Sequence, residues 1–160
     1  MSRFVPWILM LTTLAAMPSR RSPARARPDF SGSWAFDLAK SEGQMLPTSA
    51  TLKVTQTDKQ LTVERTTTQS GITRSAKSTY NLDGSPSKNS VEANGSSVDF
   101  NSTTEWTENV LVIKTTANIG PGFSGTERWS LSDDKKTLVI AADASIGPQN
   151  MTAKQAFTKQ

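Results

Sequence analysis

Phe30-Ser31-Gly32-Ser33-Trp34-Ala35-Phe36-Asp37 is the stretch that decides the fold. A glycine lets another part of the backbone approach closely, and a tryptophan two residues on is large enough to plug the end of a barrel. The stretch opens the first strand of an all-β domain. Its neighbours on either side set the compartment and the topology.

Upstream, Met1-Ser2-Arg3 is a short basic start, and Phe4 to Met17 is apolar apart from Pro6 and two threonines. Ala24-Arg25-Ala26 puts small residues at both positions before a cleavage point. This is the pattern of a secretory signal over residues 1–26, too short to span a membrane. It predicts a secreted or periplasmic protein whose mature part, residues 27–160, is one domain. Arg20, Arg21 and Arg25 lie between the apolar run and that point, so cleavage nearer Ala16 is the alternative.

Removing the leader removes four of the 18 basic residues and no acid, leaving 14 against 14 and a net charge of zero. The basic pI is therefore no argument for nucleic acid or an anionic membrane as partner. The chain has no cysteine and no histidine. Disulfides and thiolate metal sites are ruled out, as are the commonest general base and the commonest transition-metal ligand. Asp58 and Asp133-Asp134 fall at turns without calcium-loop spacing. No cofactor and no metal is expected. Glu105, Glu108 and Glu127 are available for acid–base work, but nothing in the spacing pairs two across a cleft. The sequence points away from an enzyme.

Downstream, short alternating segments recur between turn residues, as in an antiparallel meander. Ten strands are predicted, at about 30–37, 51–57, 60–69, 72–82, 88–93, 97–106, 109–118, 123–131, 137–145 and 150–158. The connector from Leu38 to Ser49 has room for a helical turn near Ala39 to Gln44. Asp83-Gly84-Ser85-Pro86 and Asn94-Gly95 are the strongest turn signals. Leu111-Val112-Ile113 with Ala117, Ile119, Gly120 and Pro121 recurs as Leu138-Val139-Ile140 with Ala144, Ile146, Gly147 and Pro148, seven identities at one offset of 27 residues. A repeated long hairpin is what an up-and-down sheet shows, and closing such a meander into a barrel of about 8–10 strands removes its edges. A β-sandwich is the runner-up; it needs crossing connections longer than any after residue 50.

With Lys40-Ser41, Leu61-Thr62-Val63, Thr126 to Ser132 and Lys136-Thr137-Leu138, the Gly32-x-Trp34 stretch resembles the lipocalin and calycin group of ligand-binding barrels. It is also similar to small secreted bacterial lipocalin-like proteins of unassigned function. The resemblance implies that Gly32 and Trp34 mark a barrel plug, and that a basic residue of the last strand, Lys154 or Lys159, crosses the tryptophan. The chain departs from the group in lacking a Thr-Asp-Tyr motif, a C-terminal helix and a paired helical lid.

Strand phase supplies the candidate site. Arg65 is in phase with Leu61 and Val63, Arg74 with Ile72 and Ala76, and Glu127 with Phe123 and Trp129. Inward-facing charges must pair, so an Arg–Glu bridge competes with an arginine that meets an anionic ligand head group. Tyr80, Phe100, Trp106, Phe123 and Trp129 are either core or the wall of a pocket. The expected function is non-enzymatic binding of a small, partly apolar or amphipathic ligand. The alternative is a protein-interaction or inhibitor barrel with a solid core, acting through its Gly-Pro loops. A membrane-spanning barrel is excluded by outward-phase Lys53, Glu64, Lys77, Asp99 and Glu105.

Overall fold

The computed structural model describes residues 26–93 and 95–160; the expected leader lies almost wholly outside the described residues. Ten antiparallel strands follow one another: β1 (Gly32–Gly43), β2 (Ser49–Gln56), β3 (Gln60–Gln69), β4 (Ile72–Asn81), β5 (Ser87–Ala93), β6 (Ser96–Thr107), β7 (Val110–Ala117), β8 (Phe123–Leu131), β9 (Thr137–Ile146) and β10 (Gln149–Lys159). They form one sheet in the order β4-β3-β2-β1-β10-β9-β8-β7-β6-β5. Within β1–β4 and within β5–β10 each strand thus lies beside its sequence neighbours, and β1 pairs with β10. Among the described residues there is no helix.

The sheet curls until β4 and β5 face each other, but no backbone ladder joins them. Side chains close the seam instead. Asn89 accepts from the Thr79 amide at 2.7 Å and donates to the Thr79 carbonyl at 3.1 Å, so one side chain stands in for a strand partner. The Asn81 amide donates to Ser87 Oγ at 2.7 Å, and Thr104 Oγ1 donates to the Asn81 carbonyl. The result is an all-β, nearly closed barrel.

One expectation fails. The segment after Asp37 does not form a helical turn; β1 runs on to Gly43, with a register shift between Asp37 and Glu42 where it pairs with β10. Ser41 stabilises this bulge by donating to the Asp37 carbonyl at 2.7 Å and accepting from the Ala156 amide at 2.9 Å. Only residues 44–48 then connect β1 to β2, too few for a helical lid in that connection.

Phe30 and Ser31 precede the first strand and run across the base of the barrel. Gln56 latches them there, accepting from the Phe30 amide at 3.0 Å and donating to the Pro28 carbonyl at 2.9 Å. Trp34 is fully buried, and its indole N–H donates to the Phe30 carbonyl at 3.0 Å. Lys159 crosses the ring with its ammonium 5.4 Å from the centroid. Gly32 makes that crossing possible: a Cβ there would stand 3.1 Å from Lys159 Cε, on a backbone with φ of +136°. The glycine and the tryptophan are therefore two parts of one closure at the base.

The exposed outer faces carry cross-strand ion pairs. Glu64 meets Lys77 at 3.3 Å, Asp99 meets Lys88 at 2.8 Å and Glu105 meets Lys114 at 3.4 Å. Pairs this exposed contribute little stability each, but they keep the outer wall polar.

Candidate functional site

The interior divides into two halves because inward residues shrink along the strands. Toward the base, Leu52, Leu61, Leu111, Ile113, Leu138 and Ile140 are buried around Trp34 and Trp129. Further up the same strands the inward positions hold Ala142 and Ala144 on β9, Gly125 on β8, and Ala76 and Ser78 on β4. Large side chains fill the base, and small ones leave a cavity of about 260 Å³ above it. Gly125 is a spacer: a Cβ there would come within 3.0 Å of the Phe123 ring.

Arg65 and Glu127 face each other across this cavity, 62 residues apart in sequence. Arg65 Nη1 donates to one carboxylate oxygen at 3.3 Å and Nη2 to the other at 3.4 Å. The second oxygen also accepts from the Trp129 indole at 2.8 Å, a partner two residues away on the same face of β8. The two side chains are 32% and 28% exposed, so water reaches the pair from the mouth and screens it. The neighbouring carboxylate holds the Arg65 guanidinium charged even more firmly than usual. Tyr80 lines the same cavity, and its phenol is pushed above its ordinary range, first by burial and then by the Glu127 charge.

Phe100 and Phe123 meet edge to face at 5.9 Å and give the cavity an apolar wall. Trp129, wholly buried, forms the floor. Two predicted residues lie elsewhere. Trp106 sits at the base, stacked on Phe30 at 6.1 Å and covered by Arg27 at 5.2 Å, because it lies six residues beyond Phe100 toward the basal end of β6. Arg74 has the inward phase of Ala76 but stands at the mouth, exposed, in a recess that also holds Thr67 and Glu92.

Sequence reasoning passed over Asn89, Ser102 and Thr115. All three line the cavity, and Ser102 and Thr115 share a hydrogen bond at 2.8 Å across β6 and β7. Their signal was period two on their own strands: Asn89 lies between Ser87 and Val91, and Ser102 between Phe100 and Thr104. The two Gly-Pro loops meet at the upper end, where the Gly147 amide donates to the Gly122 carbonyl at 3.2 Å. Among the described residues no cluster of acidic side chains is arranged to hold a metal.

No protein-family model and no curated protein matches the chain. Solved structures do. Zebrafish ileal bile acid-binding protein complexed with cholic acid aligns at 14% identity and a TM-score of 0.52, over 82% of this chain and 98% of that one. Apo lipid binding protein 8 of Caenorhabditis elegans aligns at 12% identity and a TM-score of 0.58, over 82% and 95%. A secretary abundant heat soluble (SAHS) protein of Ramazzottius varieornatus aligns at 10% and 0.54, over 82% and 95%. These likenesses establish the class: the chain has the fold of the calycin-like β-barrels. At such identities they speak for the fold alone.

Proposed function

We propose that the protein is a non-enzymatic binding barrel that holds a small, partly apolar ligand in its upper half. The observation that carries this reading is the hollow: small inward residues keep open a cavity with an aromatic wall and one polar cluster, above a base that is solidly packed. Convergent polar groups in an otherwise apolar cavity are the usual form of a ligand site. Two of the fold neighbours are named for binding lipids or bile acids, which supports the same reading. The polar cluster consists of Arg65, Glu127, Tyr80 and the Trp129 indole, with Phe100 and Phe123 as the apolar contacts. Residues 1–26 act as a removable secretory signal in this reading, and the barrel works outside the cytoplasm.

The test is native mass spectrometry after gentle desalting, on the wild type and on Ala142→Leu. Leucine at this position fills the cavity from β9. A retained mass, lost in the variant, is the expected result. An unladen wild type that also shows no uptake of small apolar probes would count against the proposal. A second reading, a protein-interaction barrel, is favoured by the contact between the two Gly-Pro loops, which makes them one surface. Pull-down with the wild type and with both loops altered separates the two.

A further inference from the structure

We infer that the cavity selects an uncharged ligand with a hydrogen-bond acceptor and disfavours the carboxylate that an inward arginine at first suggests. This rests on the binding-barrel reading and adds the chemical class of the ligand. The charges facing the cavity cancel. Arg65 on β3 is already engaged at both terminal nitrogens by Glu127 on β8, and both carboxylate oxygens are satisfied, one of them twice. Asp143 on β9, which also borders the cavity, is held by Arg128 on the outer wall. At the mouth Arg74 shares its recess with Glu92, so the entrance too is close to neutral.

A ligand carboxylate placed against Arg65 necessarily lies beside Glu127 as well. Its attraction to the guanidinium is offset in part by repulsion from the carboxylate. The cost of removing its charge from water is then only partly compensated. An uncharged carbonyl or hydroxyl meets no such opposition. A guanidinium has five N–H donors, and Glu127 engages two of Arg65's, leaving three for an acceptor. Tyr80 lines the same cavity. The ligand class is a partly apolar molecule bearing a ketone, aldehyde or alcohol, its apolar part against the Phe100–Phe123 wall.

Isothermal titration calorimetry at neutral pH with two probes of matched shape, 2-acetylnaphthalene and 2-naphthoate, tests the inference. Wild type is expected to bind the ketone at least about tenfold more tightly than the carboxylate, a difference of about 1.4 kcal/mol. Glu127→Gln keeps the shape, frees the guanidinium, and should narrow or reverse that order. Equal or tighter binding of 2-naphthoate by the wild type overturns the inference while leaving the binding barrel standing. Binding of neither probe, or binding unchanged by Ala142→Leu, removes the cavity as the site and the inference with it. The wild-type comparison decides the matter even if Glu127→Gln fails to fold.

Discussion

Replacing Trp34 with alanine removes the centre of the basal closure, and the cost can be worked from its surroundings. The side chain is 1% exposed and belongs to the main buried cluster. A buried tryptophan removes roughly 150–250 Å² from water, which at about 25 cal/mol per Å² gives about 4–6 kcal/mol as an upper bound. Alanine keeps a little of this, and the surrounding side chains relax into part of the space. The indole bond to the Phe30 carbonyl contributes about 1 kcal/mol, and the exposed Lys159 contact about 0.5–1 kcal/mol. The expected loss for Trp34→Ala is about 3–5 kcal/mol, in line with other deletions of buried aromatic rings. Trp34→Phe keeps most of the ring but leaves the carbonyl unpaired, so about 1–2 kcal/mol is expected there. Urea unfolding followed by far-ultraviolet circular dichroism measures both, with an unchanged m-value as the sign that the same fold is compared. A loss below about 1 kcal/mol for Trp34→Ala would show that the ring is not the plug.

Other outcomes follow from single features. Tyr80 is the chain's one tyrosine, so absorbance at the phenolate band titrates it alone. Its midpoint should lie above the ordinary value of about 10 and fall toward it in Glu127→Gln, and a wild-type midpoint at or below about 10 contradicts the cavity environment. Asn89→Ala leaves the Thr79 amide and carbonyl without partners at the β4–β5 seam and should cost about 1–3 kcal/mol, with faster hydrogen exchange confined to β4 and β5. Equal exchange across all strands would argue that the seam is not an independent weak line. Asp29, Asp83, Asp99 and Asp134 all have lowered pKa values in the fold, from hydrogen bonds to neighbouring serines, lysines and backbone amides. A depressed carboxylate adds stability that is present above its unfolded value of about 3.9 and lost as pH falls through the folded one. Urea midpoints should therefore decline on acidification below about pH 4, and a midpoint that rises there reverses the assigned sign.

Sequence by itself determined the strand count, nearly all the strand limits and the face each side chain takes. These are local: alternation has period two, and the turns carry their own chemistry in Gly, Pro, Asn and Asp. It also placed Arg65 and Glu127 inward, and showed that inward charges require partners. It could not settle that these two meet, because a contact across 62 residues depends on the curl of the whole sheet and the stagger between strands. Trp106, at the base, and Phe100, at the cavity, share a face of β6 but stand six residues apart, about 20 Å along the strand, and only the closed sheet shows which of the two heights is hollow. The bulge after Asp37 was hidden for a different reason: its anchor is the amide of Ala156, 115 residues from Ser41. The hollow combines both levels. Ala76, Gly125, Ala142 and Ala144 are small by sequence, but only closure of the sheet brings them to one height, where together they leave a space that no single strand encodes.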